Sequence, residues 1–262
     1  MPELIVKGTK IYYELHGTEG KPVVLFLHGL GSSVRDWELQ VPAFSQDYRV
    51  LLIDMRGHGR SDKPIPQYTM PIFASDVVGV MDSLKIEKAH IVGISMGGMI
   101  AFQLAVDCPE RIQSLCIVNS GPAVILRSLQ DRFAIYMRFV IVRLMGMRKM
   151  GAVIAPKLFV DAEQEELRQL FIERWAENDP KAYLNALRAI VGWTVEDRIG
   201  DNCIPTLIAF SDQDYTPISL KEAYMPKLKN ARLKIIPNAH HAVSSERPEA
   251  FNQVIMEFLR EF

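Results

Sequence analysis

Short runs of Val, Ile and Leu recur along the chain at 23–27, 50–53, 89–94 and 115–118, with few polar interruptions. A strand wetted on one face alternates apolar with polar residues, so unbroken runs predict strands buried on both faces of a parallel sheet. Between the runs, apolar spacing predicts helices over 34–44, 72–84 and 96–106. Two alternating segments, 4–7 and 11–15, flank Gly8-Thr9 and read as an N-terminal hairpin. Strands return at 206–210 and 232–236, with helices over 220–228 and 248–262. Strand and helix in alternation predict an α/β fold, a mostly parallel central sheet flanked by helices.

One stretch departs from that rhythm. From about 121 to 195 helical patterns occur without a convincing strand. Such an insertion would form a helical cap over the C-terminal edge of the sheet, where open α/β sheets bind ligands. The expected division is a core of 1–120 and 196–262 and a cap, or lid, of 121–195.

Composition narrows the class of protein without naming a function. At 262 residues, 48% hydrophobic and 23% charged, the chain has ample material for a large soluble core. Its net charge of -1 gives no reason to expect nucleic acid or an anionic membrane, which leaves only local charge to matter. The cysteines, Cys108, Cys116 and Cys203, are odd in number and far apart, each in or beside an apolar stretch, as buried thiols are. They offer neither a disulfide framework nor metal-ligand spacing, which fits a reducing compartment, the cytoplasm. The first residues lack a basic region followed by an apolar run, so no secretory leader is expected. The most apolar long stretch, 133–147, is interrupted by Arg138 and Arg143, so no membrane span is expected either.

The chemistry lies at one junction. Gly93-Ile94-Ser95-Met96-Gly97 joins a strand to a helix, and Gly-x-Ser-x-Gly in that position is a nucleophile elbow. The serine sits on a strained turn, with glycines where a Cβ would clash. A serine hydroxyl needs a base to take its proton, and the base needs a third group to hold its tautomer. In this arrangement the chain order is serine, acid, histidine. Of the histidines only His240 and His241 follow Ser95. The strand at 206–210 runs into Ser211-Asp212-Gln213-Asp214, which offers two carboxylates. Asp201 precedes that strand and Asp54 precedes the serine; Asp54 reads as a loop anchor. An oxyanion would be held by the backbone N–H of Met96, at a helix N-terminus, and by that of Leu30 in the loop His28-Gly29-Leu30-Gly31.

With these motifs the sequence resembles the α/β-hydrolase superfamily from its first strand to its last helix. The resemblance is carried by Leu27-His28-Gly29-Leu30-Gly31, by Asp54-Met55-Arg56-Gly57-His58-Gly59-Arg60-Ser61-Asp62 and by Gly93-Ile94-Ser95-Met96-Gly97-Gly98. Pro205-Thr206-Leu207 leading to Asp214, and His241 ahead of Glu246-Arg247-Pro248, complete it. The family's Gly-x-x-Asp turn is here Ser211-Asp212-Gln213-Asp214, which gives the acid to Asp214. Counting back from Glu246-Arg247-Pro248 gives the base to His241, with His240 where relatives carry a small residue. The resemblance implies a serine hydrolase that cleaves a carboxylic ester through an acyl-enzyme, without cofactor or metal. Relatives that attack with aspartate are excluded by Ser95. Those that cleave carbon–carbon bonds often carry an aromatic after the base, where this chain has Ala242. The esterase and enol-lactonase branch remains, with 3-oxoadipate enol-lactonases and pimeloyl-acyl-carrier-protein methyl esterases as alternatives. A non-hydrolytic small-ligand receptor on the same fold is a reading of another class.

The expected cap adds charge. Arg127 and Arg138 are eleven residues apart, three turns of an unbroken helix, and Arg132 and Arg143 repeat that spacing. Glu163, Glu165, Glu166, Glu173 and Glu177 follow in the second half. The arginines either pair within the cap or, with Arg127, Arg138 and Arg143 foremost, dock a substrate or an acidic partner such as acyl carrier protein. Met137, Met145, Met147 and Met150 would line an adaptable acyl pocket or pack in a core.

Overall fold

In the computed structural model, which describes residues 2–65, 68–201 and 203–262, alternate residues of each central strand enter two different cores. In β3 (Val23–Leu27), Leu25 and Leu27 join one cluster, while Val24 and Phe26 join the other. That two-residue period, with both faces buried, is what the Val/Ile/Leu runs demanded. The described residues form an eight-stranded sheet in the order β1-β2-β4-β3-β5-β6-β7-β8. The remaining strands are β1 (Glu3–Val6), β2 (Thr9–His16), β4 (Arg49–Ile53), β5 (Ala89–Ile94), β6 (Ile112–Val118), β7 (Thr206–Ser211) and β8 (Ala231–Ile236). β1 and β2 pair antiparallel, β2 joins β4 antiparallel, and every pairing from β4 to β8 is parallel.

Helices α2 (Met70–Ser83) and α3 (Met96–Asp107) cover one face through Phe73, Val77, Ile100 and Leu104. Thr69 starts α2 by accepting the Ile72 N–H on its hydroxyl, and Pro71 fills a position whose N–H has no helical partner. On the other face α1 (Val41–Phe44) and α9 (Pro248–Leu259) pack Phe44, Phe251 and Ile255 against Phe26 and Val92. Each large side chain so buried contributes about 1.5–3 kcal/mol. The helix expected over 34–44 is instead a 3-10 turn, Val34–Trp37, followed by α1. Pro42 explains the break, because its ring clashes with the carbonyl four residues back in a continuous helix.

Between β6 and β7 the chain forms α4 (Leu129–Leu158), α5 (Glu165–Ala176) and α6 (Pro180–Ile190), apart from an isolated bridge of Ala123 to Thr194. Gly146, at φ 78°, breaks α4 into two lengths. These helices have their own core of Val142, Met150, Trp175, Tyr183 and Leu187. They meet the sheet domain through Arg35–Glu177 and Arg174–Glu38 ion pairs, each 2.6 Å, and through the Asn178 amide on the Gly31 carbonyl. Exposed pairs of this kind contribute at most about 1 kcal/mol each. Between β7 and α9 lie α7 (Ile218–Tyr224) and α8 (Val243–Glu246).

Two expectations fail here. Of the three thiols only Cys116 is buried; Cys108 is half-buried and Cys203 exposed, since it lies in a connection rather than in the strand that follows. Arg127 and Arg138 do not share a helix face, because Ser128 caps α4 and leaves Arg127 outside it. Among the described residues no helix is long and apolar enough to cross a membrane.

Candidate active site

Ser95 stands between β5 and α3 with φ 54° and ψ −118°, a conformation that L residues rarely adopt. Such strain costs on the order of 1–3 kcal/mol and persists only where the surroundings enforce it. Here they do. A Cβ on Gly97 would lie 2.0 Å from the Leu27 carbonyl oxygen, and one on Gly93 would lie 2.3 Å from that of Gly97. Only glycine lets strand, turn and helix approach so closely. The Ser95 N–H donates to the Val118 carbonyl at 3.0 Å, and the Ser120 hydroxyl donates to the Ser95 carbonyl at 2.6 Å.

The loops after β7 and β8 converge on the same edge. His241 Nδ1 lies 2.8 Å from Asp214 Oδ1, in a carboxylate whose side chain is fully buried. The carboxylate accepts, so Nδ1 carries the proton and Nε2 the lone pair. The Thr216 hydroxyl donates to Asp214 Oδ2 at 2.5 Å, and buried Lys221 Nζ stands 3.2 Å from that oxygen. Burial opposes charge on Asp214, but His241, Thr216 and Lys221 outweigh it and hold the carboxyl below its ordinary range. The two alternatives left open by the sequence lie elsewhere. Asp212 accepts the Ala239 N–H at 3.1 Å, and His240 Nδ1 is 2.6 Å from Glu246.

Three neighbours had no signal in the sequence. Asn119, at φ 45°, donates to the carbonyls of His240 and His241 and accepts the Ser211 N–H at 2.9 Å. It ties the histidine loop to the ends of β6 and β7. Lys221 shows only a helical pattern in the sequence. Tyr215 matters most: its hydroxyl lies 3.1 Å from His241 Nε2, its ring centroid 4.3 Å from the imidazole, and the hydroxyl also meets Ser95. Since Nε2 holds the lone pair, the phenol donates. Although Tyr215 as a whole residue is 53% exposed, burial of its hydroxyl pushes its pKa up to about 12. Among the described residues no direct hydrogen bond joins Ser95 to His241; Tyr215 occupies the gap.

Ser95, Met96, Leu30, Tyr215 and His241 line one cavity of about 340 Å³. The Leu30 and Met96 amides are free of hydrogen bonds among the described residues. The opposite wall is apolar and comes from α4 and α5, through Ile154, Leu158 and Phe171. Two arginines interrupt that wall, Arg174 of α5, which pairs with Glu38, and Arg138. Arg138 has no such partner. It is half-buried, pairs with no acid among the described residues, and lies beside the Tyr183 hydroxyl, which is buried without a well-formed hydrogen bond. Arg127 and Arg143 are exposed and do not line the cavity. Nor do the four methionines: Met147 and Met150 pack in the helical core and Met145 is 57% exposed. Asp54 anchors loops as expected, accepting the Val34 and Arg60 N–H groups at 2.7 Å each. Among the described residues no group of three or more His, Cys, Asp or Glu is placed to hold a metal.

Residues 22–139 match the family model described as alpha/beta hydrolase fold. The chain is 30% identical to 3-oxoadipate enol-lactonase 1 of Acinetobacter baylyi over 97% of its own length and 94% of the relative's. The chain belongs to the α/β-hydrolase family. A second relative of this hydrolase, provisionally named carbamate hydrolase RutD, from Caulobacter vibrioides, is 31% identical over 95% of each chain. The crystal structure of the enol-lactonase of Burkholderia xenovorans LB400 superposes with a TM-score of 0.91, at 27% identity, covering 99% of the hydrolase and 100% of that chain.

Proposed function

We propose that this α/β hydrolase cleaves a carboxylic ester of a small molecule through an acyl-enzyme on Ser95, with His241 as base and Asp214 as its orienting acid. The observation that carries the reading is the 2.8 Å bond between Asp214 and His241 Nδ1 at the rim of a cavity that also holds Ser95 on its strained turn. The bond fixes the tautomer that leaves Nε2 free to accept a proton. Tyr215 first withdraws its hydroxyl from Nε2. Ser95 Oγ then attacks the acyl carbon as its proton passes to His241, and the Leu30 and Met96 amides hold the oxyanion. His241 returns the proton to the leaving oxygen, and water repeats the sequence to release the acid. In this reading 121–195 serves as the cap and 1–120 with 196–262 as the core. The chemistry needs no cofactor. An exposed thiol at Cys203, with no disulfide partner, is compatible with a cytoplasmic setting.

A second reading, a lactone or ester that itself bears a carboxylate, is favoured by Arg138. A half-buried guanidinium that pairs with no acid among the described residues, on a largely apolar wall, is matched by an anionic group on the ligand. The enol-lactonase relatives support that direction. The cavity gives no such support to acyl carrier protein, since Arg127 and Arg143 do not line it.

p-Nitrophenyl esters from acetate to decanoate, run beside an enol-lactone bearing a carboxylate, test both readings. Multiple turnover of at least one substrate is expected. Labelling of Ser95 by a fluorophosphonate with no ester or lactone turned over would leave a ligand receptor and overturn the proposal. Arg138→Leu should raise KM for the carboxylate-bearing lactone by roughly ten- to a hundredfold and spare neutral esters. Equal effects on both would remove the second reading.

A further inference from the structure

The first length of α4 is apolar on two opposite faces. Ile135 and Val142 turn inward, where Val142 is 2% exposed. Leu129, Phe133, Tyr136 and Leu144 turn outward, at 84%, 63%, 62% and 79% exposure. With Val140, these positions follow the i, i+4, i+7, i+11, i+15 spacing of a single helical stripe. The stripe is about 22 Å long and ends at the break at Gly146. Scattered exposed leucines need no explanation, but a continuous ridge of aliphatic and aromatic side chains does.

Charge along the ridge narrows what covers it. Arg132 and Arg143 stand three turns apart on one edge of the stripe, and Arg127 precedes the helix. All three are exposed, and none pairs with an acid among the described residues. Other arginines of the helical region do pair: Arg148 with Glu173, Arg168 with Glu165 and Arg174 with Glu38. The only acid in the first turn, Asp131, is spent on the cap with Ser128. An antiparallel second copy of the chain would bring arginine edge against arginine edge. A convex ridge with cations along its side fits instead a soft, flat, negatively charged apolar surface, as interfacial helices do.

We propose that the outward face of α4, Leu129, Phe133, Tyr136 and Leu144 with Arg132 and Arg143 beside them, docks the protein reversibly on an anionic phospholipid surface. The apolar side chains enter the acyl boundary and the guanidinium groups stay at the headgroups. Overall charge near zero does not oppose this, since only charge within a Debye length of the surface, about 8 Å at physiological salt, is felt. The docking does not depend on the hydrolytic reading.

Co-sedimentation tests it, using vesicles of phosphatidylcholine alone or mixed with phosphatidylglycerol, at low and high salt. The protein should pellet with the mixed vesicles, less so at high salt. Arg132→Glu with Arg143→Glu should weaken that partition by roughly thirtyfold or more. Phe133→Ser with Leu144→Ser should weaken it on both vesicle types, with an unchanged melting temperature for each exposed-site variant. Failure to pellet with mixed vesicles, or equal pelleting by the ridge variants, overturns the proposal. So does a concentration-dependent dimer in light scattering that Phe133→Ser dissolves, which would give the ridge to a second copy. Binding to polyglutamate without binding to vesicles would give it to an acidic polypeptide and overturn it equally.

Discussion

The side chains around Ser95 and those along the outer face of α4 are both polar-apolar mixtures, yet they are held in opposite ways. At the sheet edge Asp214 has three polar neighbours, Asn119 joins three segments, and Ser95 is clamped by glycines against the backbone. On α4, Arg132 and Arg143 touch no acid among the described residues, and Leu129 and Leu144 are mostly in solvent. Groups fixed from several sides are arranged for reactions, because their geometry has already been settled by folding. Groups left unpaired await a partner or remain solvated. The sheet edge should therefore lose activity by orders of magnitude when altered, and the helix face should lose none.

The largest contrast is between two adjacent residues. His241→Ala should lower kcat by about a millionfold if the residues act as a unit, whereas His240→Ala should leave kcat within about tenfold. His240→Ala would instead destabilise the fold by about 1–3 kcal/mol, because buried Glu246 loses a partner. Steady-state ester kinetics and urea melts separate the two. A deep loss of kcat in His240→Ala with the fold intact would reverse the assignment. Next in size, Asn119→Ala should cost about 1–3 kcal/mol by leaving the buried Ser211 N–H without its acceptor, and should lower kcat through the loosened His241 loop. An unchanged melt and unchanged kcat would show that the clamp is idle.

Tyr215→Phe sharpens the contrast from the other side, since the hydroxyl caps the lone pair that Ser95 requires. A several-fold rise in the rate of fluorophosphonate labelling is expected. A fall would mean that the phenol assists the reaction. A separate effect concerns pH. Burial lowers the pKa values of His28 to about 4, His58 to about 3 and His90 to about 4. His28 shows why it must stay neutral: Nδ1 donates to the Gly29 carbonyl while Nε2 accepts the Met55 N–H. Their contribution to stability is complete above the unfolded pKa of about 6.5 and is lost as pH falls towards the folded values. The depressed Asp214 carboxyl adds a further loss at lower pH, below the ordinary carboxylate range. Urea midpoints that stay level from pH 7 to pH 4 would contradict this.

Much of the core was legible because one local rule decided each element. Val24 to Leu27 could only be a strand buried on both faces, and Gly93 to Gly97 could only be a tight junction. The apolar spacing over 34–44 suits one helix, but Pro42 divides it, and that effect on the backbone leaves the spacing unchanged. Asp214 and His241 can be proposed from position, but only what Asp212 and His240 touch in space sets them apart from that pair. Asn119, Tyr215 and Lys221 stayed silent for the same reason: Asn119 meets residues 92 to 122 positions away. In the helical region the methionines stayed undecided between pocket and core, since a thioether fits both equally well and helix rotation alone decides.

The claim on which the rest depends is that Ser95 carries the acyl group. Rapid acid quenching during turnover of p-nitrophenyl butyrate, followed by intact-protein and peptide mass spectrometry, tests it most directly. The account predicts one butyryl group on the peptide containing Ser95, lost on further incubation and absent from Ser95→Ala, which should retain about a millionth of the turnover. Turnover at an undiminished rate by Ser95→Ala, or a butyryl group on any other residue, would contradict it.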